Sequence, residues 1–474
     1  MNRDGPVFFG RLVVAVVVGV ICLAALAIAS LVLTFQAPVA NVSPTAVTIG
    51  HHTILVAKTG PPAAVVAISI VGIIVIAGCC IGLEVIGALL SINPRRDRLA
   101  RLRDRPGAHL AEAGARLRIT VLVPAHNEEA SLPTTLAALN AQTRPPDRVI
   151  VVADNCTDRT MAVATDMGVE AMATVENTQK KAGALNQALA TVLGDLGATD
   201  VILVMDADTA LAPRFLECGA AQMEADPELA AVGGIFFGEE GHGLIGQFQR
   251  NEYARYGLQI RQRRGRVFVL TGTATMFRAD ALLDVAAARG IFLPGSPGDV
   301  YDAGVLTEDN ELTMALKSLG ATMESPAACR VTTELMPNWR SLWTQRQRWQ
   351  RGALENLASY GLTRGILRYW GQQVGIGYGT VALNAFLLLM AITVLAVDRW
   401  IWFPFWLLVG AVFLVERVFT AWPAGWRGRL LAACLLPELC YDVFLQLVFL
   451  SCMVNISVNR RASWGHVAHP STPS

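Results

Sequence analysis

The sequence predicts an α/β domain with a doubly wound, mostly parallel sheet, inserted between membrane-spanning helices. Three observations carry that reading. Uncharged apolar runs of transmembrane length lie on both sides of a polar middle region. Within the middle, short unbroken apolar runs alternate with helical segments, the pattern of parallel strands covered on both faces. Acidic and amide residues gather just after those runs, where open parallel sheets bind their ligands.

Composition narrows the class first. Of 474 residues, 53% are hydrophobic and only 16% charged, against about 25% charged in an ordinary soluble domain. A mean hydropathy of +0.43 points to lipid. These values exclude a disordered chain, a collagen-like repeat and a basic tail, so no nucleic-acid partner is expected. The formal net charge of +1 selects no partner. Nine cysteines are scattered without a CxxC pair, several of them in apolar runs where Cys acts as a small hydrophobe. Neither a disulfide scaffold nor a zinc site follows. Four lysines stand against 35 arginines, which reads as a high-GC, bacterial genome.

A transmembrane helix needs about 20 apolar residues. Residues 12–35, 63–90 and 374–397 meet that length, with Glu84 the single charge among them. Residues 400–415 and 430–458 form two weaker spans, the last interrupted by Pro437, Glu438 and Asp442. The first run exceeds the 7–15 residues of a signal-peptide core and a second span follows it, so it reads as a retained anchor. Segment 91–118 holds eight arginines, whereas 36–62 holds only Lys58. By the positive-inside rule the middle region is cytoplasmic, in a multi-pass protein of the inner (plasma) membrane. Arg427 and Arg429 fit the inside; Arg460 and Arg461 fall outside if all five spans cross. The expected organisation is 1–90, two spans; 91–373, the cytoplasmic domain; and 374–474, about three spans.

Within the middle, 119–123, 149–152, 169–175 and 201–205 read as strands, with helices near 131–141 and 180–193. Strand one runs into Pro124-Ala125-His126-Asn127-Glu128, strand two into Asp154-Asn155-Cys156-Thr157-Asp158, strand four into Asp206-Ala207-Asp208. Three polar clusters at adjacent strand ends would converge on one cleft. No glycine-rich phosphate loop is present. A nucleotide would instead be held through a divalent cation, hard carboxylate oxygens suiting Mg2+ or Mn2+. Each motif also suits a structural role. Asp158 stands where a helix N-cap stands, and Glu308-Asp309 after Thr307 stand where acids favour a helix dipole. The run from Trp339 to Gly352, rich in Trp and Arg, suits an interfacial amphipathic helix as well as a sugar platform.

Taken in order, P-A-H-N-E at 124–128, D-N-C-T-D at 154–158, K-A-G-A-L-N at 181–186, D-A-D at 206–208, T-E-D at 307–309 and Q-R-Q-R-W at 345–349 resemble the membrane-embedded, processive glycosyltransferases of family 2. That family includes the cellulose, hyaluronan and chitin synthases. Segments 251–253, 267–282 and 335–352 resemble most the bacterial poly-β-1,6-N-acetylglucosamine synthases. The resemblance implies a GT-A domain and a role for each matching position. Ala125, Glu128, Asp154, Lys181 and Asp206 would bind the nucleotide-sugar, and Asp208 the metal. Asp309 would be the catalytic base. Thr271, Gly272, Glu308, Gln345, Arg346, Arg348 and Trp349 would hold acceptor and diphosphate. His126, Ala125 and Cys156 depart from the family's usual Tyr, Thr and Gly or Ser.

The function so implied is inverting transfer of a sugar from a UDP-sugar donor, UDP-N-acetylglucosamine in the first instance, to a growing β-linked polysaccharide. Such an enzyme would be processive and coupled to export, with an accessory export subunit among its partners. Two alternatives differ in class: a single-transfer enzyme using a lipid-linked acceptor, and a non-enzymatic channel or receptor. The Q-x-x-R-W element favours a polymerase over the first. The intact set Asp154, Asp206, Asp208 and Asp309 opposes the second.

Overall fold

The computed structural model describes residues 45–56 and 116–460, apart from 198–199, 264, 364, 397 and 403, with three further positions between 63 and 67. The expected spans at 12–35 and 63–90, and segment 91–115, lie outside the described residues. The chain divides into two compact units, one built on residues 116–366 and one joining 45–56 to 367–460.

Strands β1 (Thr45–Ile49) and β2 (His52–Val56) pair antiparallel across Gly50 and His51, Ile49 facing His52. Gly50 takes φ +62, the left-handed conformation that a two-residue turn requires. They belong with the C-terminal helices.

The larger unit begins with the expected alternation: β3 (Arg118–Ala125), α1 (Leu132–Asn140), β4 (Arg148–Ala153), α2 (Thr160–Asp166), β5 (Glu170–Ala173), α3 (Lys180–Val192) and β6 (Asp200–Met205). Its middle adds β7 (Ala210–Leu211), α4 (Phe215–Ala225), β8 (Leu229–Gly233), β9 (Ile235–Gly238), α5 (Gly243–Gln262), β10 (Ala274–Arg278) and α6 (Ala279–Ala288). It closes with α7 (Glu308–Leu319), β11 (Thr322–Glu324), β12 (Arg330–Thr333) and α8 (Trp339–Tyr360). The main sheet has seven strands in the order β11-β8-β10-β6-β3-β4-β5. β6, β3, β4 and β5 run parallel, but β10 is antiparallel to both β6 and β8. β11 is parallel to β8, so six of the seven strands run one way: the sheet is mostly parallel, as expected, and mixed only through β10. A smaller sheet, β7-β12-β9, lies beside it.

The central strands are buried on both faces, which explains their unbroken apolar composition. On one face Ile119, Val121, Val123, Val201, Leu203 and Met205 pack with Leu132, Leu136 and Leu139 of α1 in one core. Burying each such side chain contributes about 1.5–3 kcal/mol. The two-residue period along β3 thus sends alternate residues into this core and the others under α3. Because β6, β3 and β4 are neighbours, their carboxyl ends open onto one cleft.

The second unit contains α9 (Leu367–Ala396), β13 (Arg399–Trp402), α10 (Phe405–Thr420), α11 (Gly425–Ala433) and α12 (Leu436–Ser457). α9 and α12 are long and apolar enough to cross a membrane. α10, where the fourth span was expected, has 16 residues. The expected fifth span is broken, α12 starting only at Leu436 with Pro437 in its first turn. β13 pairs parallel to β2, a three-stranded sheet that no local pattern foretells.

Candidate active site

Strand β3 ends by turning through Asn127 at φ +59, and β4 through Asn155 at φ +49. Asparagine tolerates the left-handed region better than most residues, so both turns are sharp. Asn127 Oδ1 accepts the Thr157 amide at 2.8 Å, tying one strand end to the other. The Ala125 carbonyl accepts the Asp154 amide at 2.8 Å. His126 Nδ1 meets the Asp154 carbonyl at 2.5 Å. Asp154 is buried, and its Oδ1 accepts from Asn155 (3.0 Å), Thr174 (2.9 Å) and Asn177 (2.7 Å). Asp154 is thus an oriented carboxylate rather than a plain strand end.

Glu128 receives the Ser131 hydroxyl, and its amide bonds to Thr160 Oγ1 at 2.8 Å. Asp158 accepts the Thr160 amide and hydroxyl at 3.0 and 2.5 Å and the Glu129 amide at 3.0 Å. The N-cap of α2 is Arg159 and not Asp158; the Asp158 carboxylate instead braces the approach to α2 and ties it to Glu129 in the turn after β3.

The charged centre lies where α3, β6 and α7 meet. Lys181 Nζ stands 2.5 Å from Asp206 Oδ1, 3.2 Å from Glu308 Oε1 and 3.5 Å from the Gly272 carbonyl. Burial opposes its charge, but the surrounding carboxylates, Asp206 first, raise its pKa and keep it protonated. For Glu308 burial again favours the neutral form, and the Lys181 ammonium outweighs it, leaving the carboxylate below its ordinary range. Asp309 behaves differently. Burial and then Glu308 push its carboxyl up to about 6, despite Lys181 and the amides of Asn310 and Gly272. Its Oδ2 accepts the Gly272 amide at 3.0 Å and its Oδ1 the Asn310 amide at 2.7 Å.

Helix α7 explains that placement. Three acids, Glu308, Asp309 and Glu311, occupy its first turn where the dipole favours them, and Gly320 ends it at φ +92. Thr307 stands at the cap position but makes no capping bond. Instead its hydroxyl and carbonyl each accept from the buried Asn356 amide of α8 at 3.2 Å. The opposite wall is the turn Thr271-Gly272-Thr273, braced by a 2.6 Å bond between the two threonine hydroxyls. At Gly272 a Cβ would come within 3.1 Å of Asp309 Oδ2, so only glycine lets the turn approach the carboxylate this closely.

Helix α8 starts under Asn338, whose side chain accepts the Ser341 amide at 2.9 Å. Its four expected residues divide. Arg346 is 5% exposed, paired with Glu252 at 2.9 Å, and lies over the Trp349 ring at 4.3 Å and the Tyr253 ring at 5.7 Å. Gln345 Oε1 accepts from it at 2.5 Å. Arg346 therefore has its partners within the protein. Arg348 lies on the other side of the helix, close enough that its charge, second to burial, lowers the pKa of Lys180. Lys180 opens the 13-residue α3, so both cations stand near a helix start, where an anion would be favoured.

Hard-metal binding fits this donor set. Asp208 is pushed up to about 8 by burial, then by Asp206, Glu334 and Glu128, with Lys181 opposing. A carboxylate crowded by three others is under-compensated, and a divalent cation would relieve it. Among the described residues no three such side chains close on one point; Asp208 is the carboxylate that would hold the ion. Glu334, at the end of β12, escaped sequence reading. An acid just after a strand, as in Asp206-Ala207-Asp208, was the signal available for it.

Comparisons with known proteins bear on the domain that carries this centre. Residues 120–285 match the family described as Glycosyl transferase family 2. A probable glycosyltransferase of Bacillus subtilis, YdaM, is 31% identical over 250 residues, 50% of this chain and 55% of that one. The poly-β-1,6-N-acetyl-D-glucosamine synthase of Staphylococcus aureus is 24% identical over 248 residues, with the same shares. The chain thus spans about half the length of the curated relatives it matches. Among solved structures, a mannosyltransferase from Pyrobaculum calidifontis in complex with GDP-mannose and Mn2+ aligns at a TM-score of 0.49 and 16% identity, covering 81% of this chain and 100% of that one.

Proposed function

The chain carries a glycosyl transferase family 2 domain, and on that premise we propose that it is an integral-membrane, inverting enzyme. It transfers a sugar from a UDP-sugar, UDP-N-acetylglucosamine by preference, to a growing β-linked polysaccharide. The observation that carries this reading is the Lys181–Asp206–Glu308–Asp309 cluster, in which one carboxyl is held ionised and its neighbour is raised to about 6. Environments that drive two carboxyls apart mark acid–base assignments.

In the reaction, the acceptor hydroxyl gives its proton to Asp309 as its oxygen bonds to the anomeric carbon. The bond from that carbon to the diphosphate breaks, and UDP leaves. Attack opposite the leaving group turns an α-linked donor into a β-linked product. Asp154, Ala125 and Glu128 hold the nucleoside, while Lys181, Lys180 and Arg348 offset charge on the departing diphosphate. Mg2+ or Mn2+ at Asp208, when bound, supplies further Lewis-acid stabilisation there. Trp349, oriented by Arg346, offers an aromatic face to the acceptor, and Thr271 and Gly272 line its approach. Proton transfer of this kind contributes about 10²–10⁴-fold.

The second unit supports membrane insertion. β2 and β13 share a sheet, so segments 45–56 and 399–402 must lie on the same side of a bilayer. That agrees with the arginine count, which puts 36–62 outside and Arg427 and Arg429 inside. Arg417 of α10 is paired with Asp442 at 2.6 Å and Glu438 at 3.3 Å of α12, as charges between apolar helices require. α10 spans about 24 Å by its rise per residue, so it crosses only a locally thinned bilayer. Organisation as 1–90, 91–373 and 374–474, and processive export from a bacterial cytoplasmic face with an accessory subunit, complete the proposal.

The test is direct. Membranes containing the chain, given UDP-N-acetylglucosamine and Mg2+ or Mn2+, release UDP and form a polymer cleaved by a β-specific glycanase. Absence of UDP release with every UDP-sugar overturns the reading.

A further inference from the structure

The C-terminal half of helix α8 makes a seam with the start of α7. Gly352, Asn356 and Tyr360 recur every four residues, so they share one side of the helix. Gly352 lies against Thr307: a Cβ there would meet the Thr307 hydroxyl and come within 2.7 Å of its Cγ2. One turn on, Nδ2 of Asn356 donates to both the carbonyl and the hydroxyl of Thr307, each at 3.2 Å. One turn further, the Tyr360 hydroxyl donates to Glu311 at 2.5 Å. Thr307 and Glu311 flank Asp309, two positions to either side.

The middle member of the seam is a poor choice for packing. Asn356 is 0% exposed, and its Oδ1 has no hydrogen-bond partner among the described residues. A buried acceptor left unpaired is unfavourable, so stability alone would favour an apolar side chain here. The Thr307 carbonyl does not need the bond either, since it accepts the Glu311 amide at 3.1 Å within α7. What Asn356 supplies is a directional tie between two helices. Trp349 stands seven residues before it, two turns back along the same side of α8. One helix thus carries the acceptor face and is fastened to the helix of the base. Asp309 also has supports that do not come from α8, the amides of Gly272 and Asn310.

We propose that Asn356 is a positioning residue, whose bonds to Thr307 set the distance between the acceptor face at Trp349 and Asp309. The inference rests on the glycosyltransferase reading above and goes beyond it. A sugar hydroxyl must reach Asp309 in line with the anomeric carbon, and a displacement of about 1 Å at such a centre lowers the rate by about 10²-fold. Water needs no platform. Hydrolysis of the donor by water therefore survives a shift of α8 that transfer to a sugar does not.

The experiment gives membranes labelled UDP-N-acetylglucosamine, or UDP-glucose where the first yields no product, and counts polymer and free sugar separately. For Asn356→Ala we expect polymer formation to fall about 10-fold or more, with hydrolysis and UDP affinity each within about three-fold of wild type. Thr307→Val removes the hydroxyl that receives Asn356 and lowers the ratio of transfer to hydrolysis in the same direction, whereas Thr307→Ser restores it. The double variant Asn356→Ala, Thr307→Val is no worse than the more damaged single one, because both break one tie. If Asn356→Ala does not fold, the Thr307→Val and Thr307→Ser pair decides by the same ratio. Transfer and hydrolysis falling together, additive losses, or a wild-type ratio in folded variants overturn the proposal and leave the glycosyltransferase reading intact. Absence of both products from the wild-type chain with any UDP-sugar overturns that reading and this inference with it.

Discussion

Replacing Gly272 by alanine probes how Asp309 is tuned. The added Cβ would lie 3.1 Å from Asp309 Oδ2 and 3.4 Å from its Cβ and Cγ, so turn and carboxylate must part by a few tenths of an ångström. The casualty is the 3.0 Å bond from the Gly272 amide. That bond favours the ionised form, so weakening it raises a carboxyl already at about 6. A hydrogen bond to a charged group is worth about 1.5–3 kcal/mol, and losing the lower figure corresponds to about one pKa unit. The group that must be deprotonated to act as base would then titrate near ~7, from the shift just given. Its ionised fraction falls about two-fold at pH 7 and about five-fold at pH 6, and recovers at pH 8.5. The assay is UDP release against pH at saturating donor. Loss that persists at pH 8.5 measures misplacement of the base, since small displacements at a reacting centre are costly. An acid limb at the wild-type position, with wild-type turnover, would refute the assignment of Asp309 and the tuning by Gly272 together.

Other outcomes follow from the same contacts. Asp208→Asn removes the metal's carboxylate and should abolish both turnover and the Mg2+- or Mn2+-dependent part of UDP binding in calorimetry; metal-dependent binding at wild-type strength would contradict it. Glu311→Gln leaves Arg289 buried with its charge uncompensated, and Tyr360 loses a charged partner. A destabilisation of about 3–5 kcal/mol is expected, visible as a lowered thermal midpoint of the detergent-purified protein. Arg346→Lys keeps the charge but loses the planar stack on Trp349 and the geometry of the Glu252 pair. It should raise the KM for acceptor while leaving UDP affinity within about two-fold, the pattern of lost uniform binding.

How far the sequence discloses this molecule depends on where each feature gets its shape. Strands β3, β4 and β6 announce themselves because a strand buried on both faces must be apolar throughout, and Asp154, Asp206 and Asp208 are visible as carboxylates at their ends. β10 is not, since nothing in Ala-Thr-Met-Phe-Arg tells that it runs against β6 and β8. Pairing direction is a property of the connections, and here α5 and the 263–273 loop set it. The sheet uniting β1, β2 and β13 joins segments some 350 residues apart, beyond any local pattern. On α8 more could have been read. Two residues along a helix turn the side chain by about 200°, so Arg346 and Arg348 cannot both face one diphosphate, whereas Arg346 and Trp349 share a side. The clamp of Asn186 on the Tyr301 backbone, 115 positions away, was invisible, lying like that sheet beyond any local pattern. Asp309 was legible as a residue, but its raised pKa arises from burial and from Glu308 and Lys181, which only the fold assembles.

The central claim, that Asp309 is the base and acts in the transition state, is tested most directly by Asp309→Asn. The amide keeps the shape and loses the proton acceptor, while Asp154, Lys180, Lys181 and Arg348 remain to hold donor. Measured on one detergent-purified preparation, UDP binding by calorimetry should stay within about two-fold and UDP release should fall about 10²-fold or more. Turnover within a few-fold of wild type, in folded protein that still binds UDP, would contradict the account.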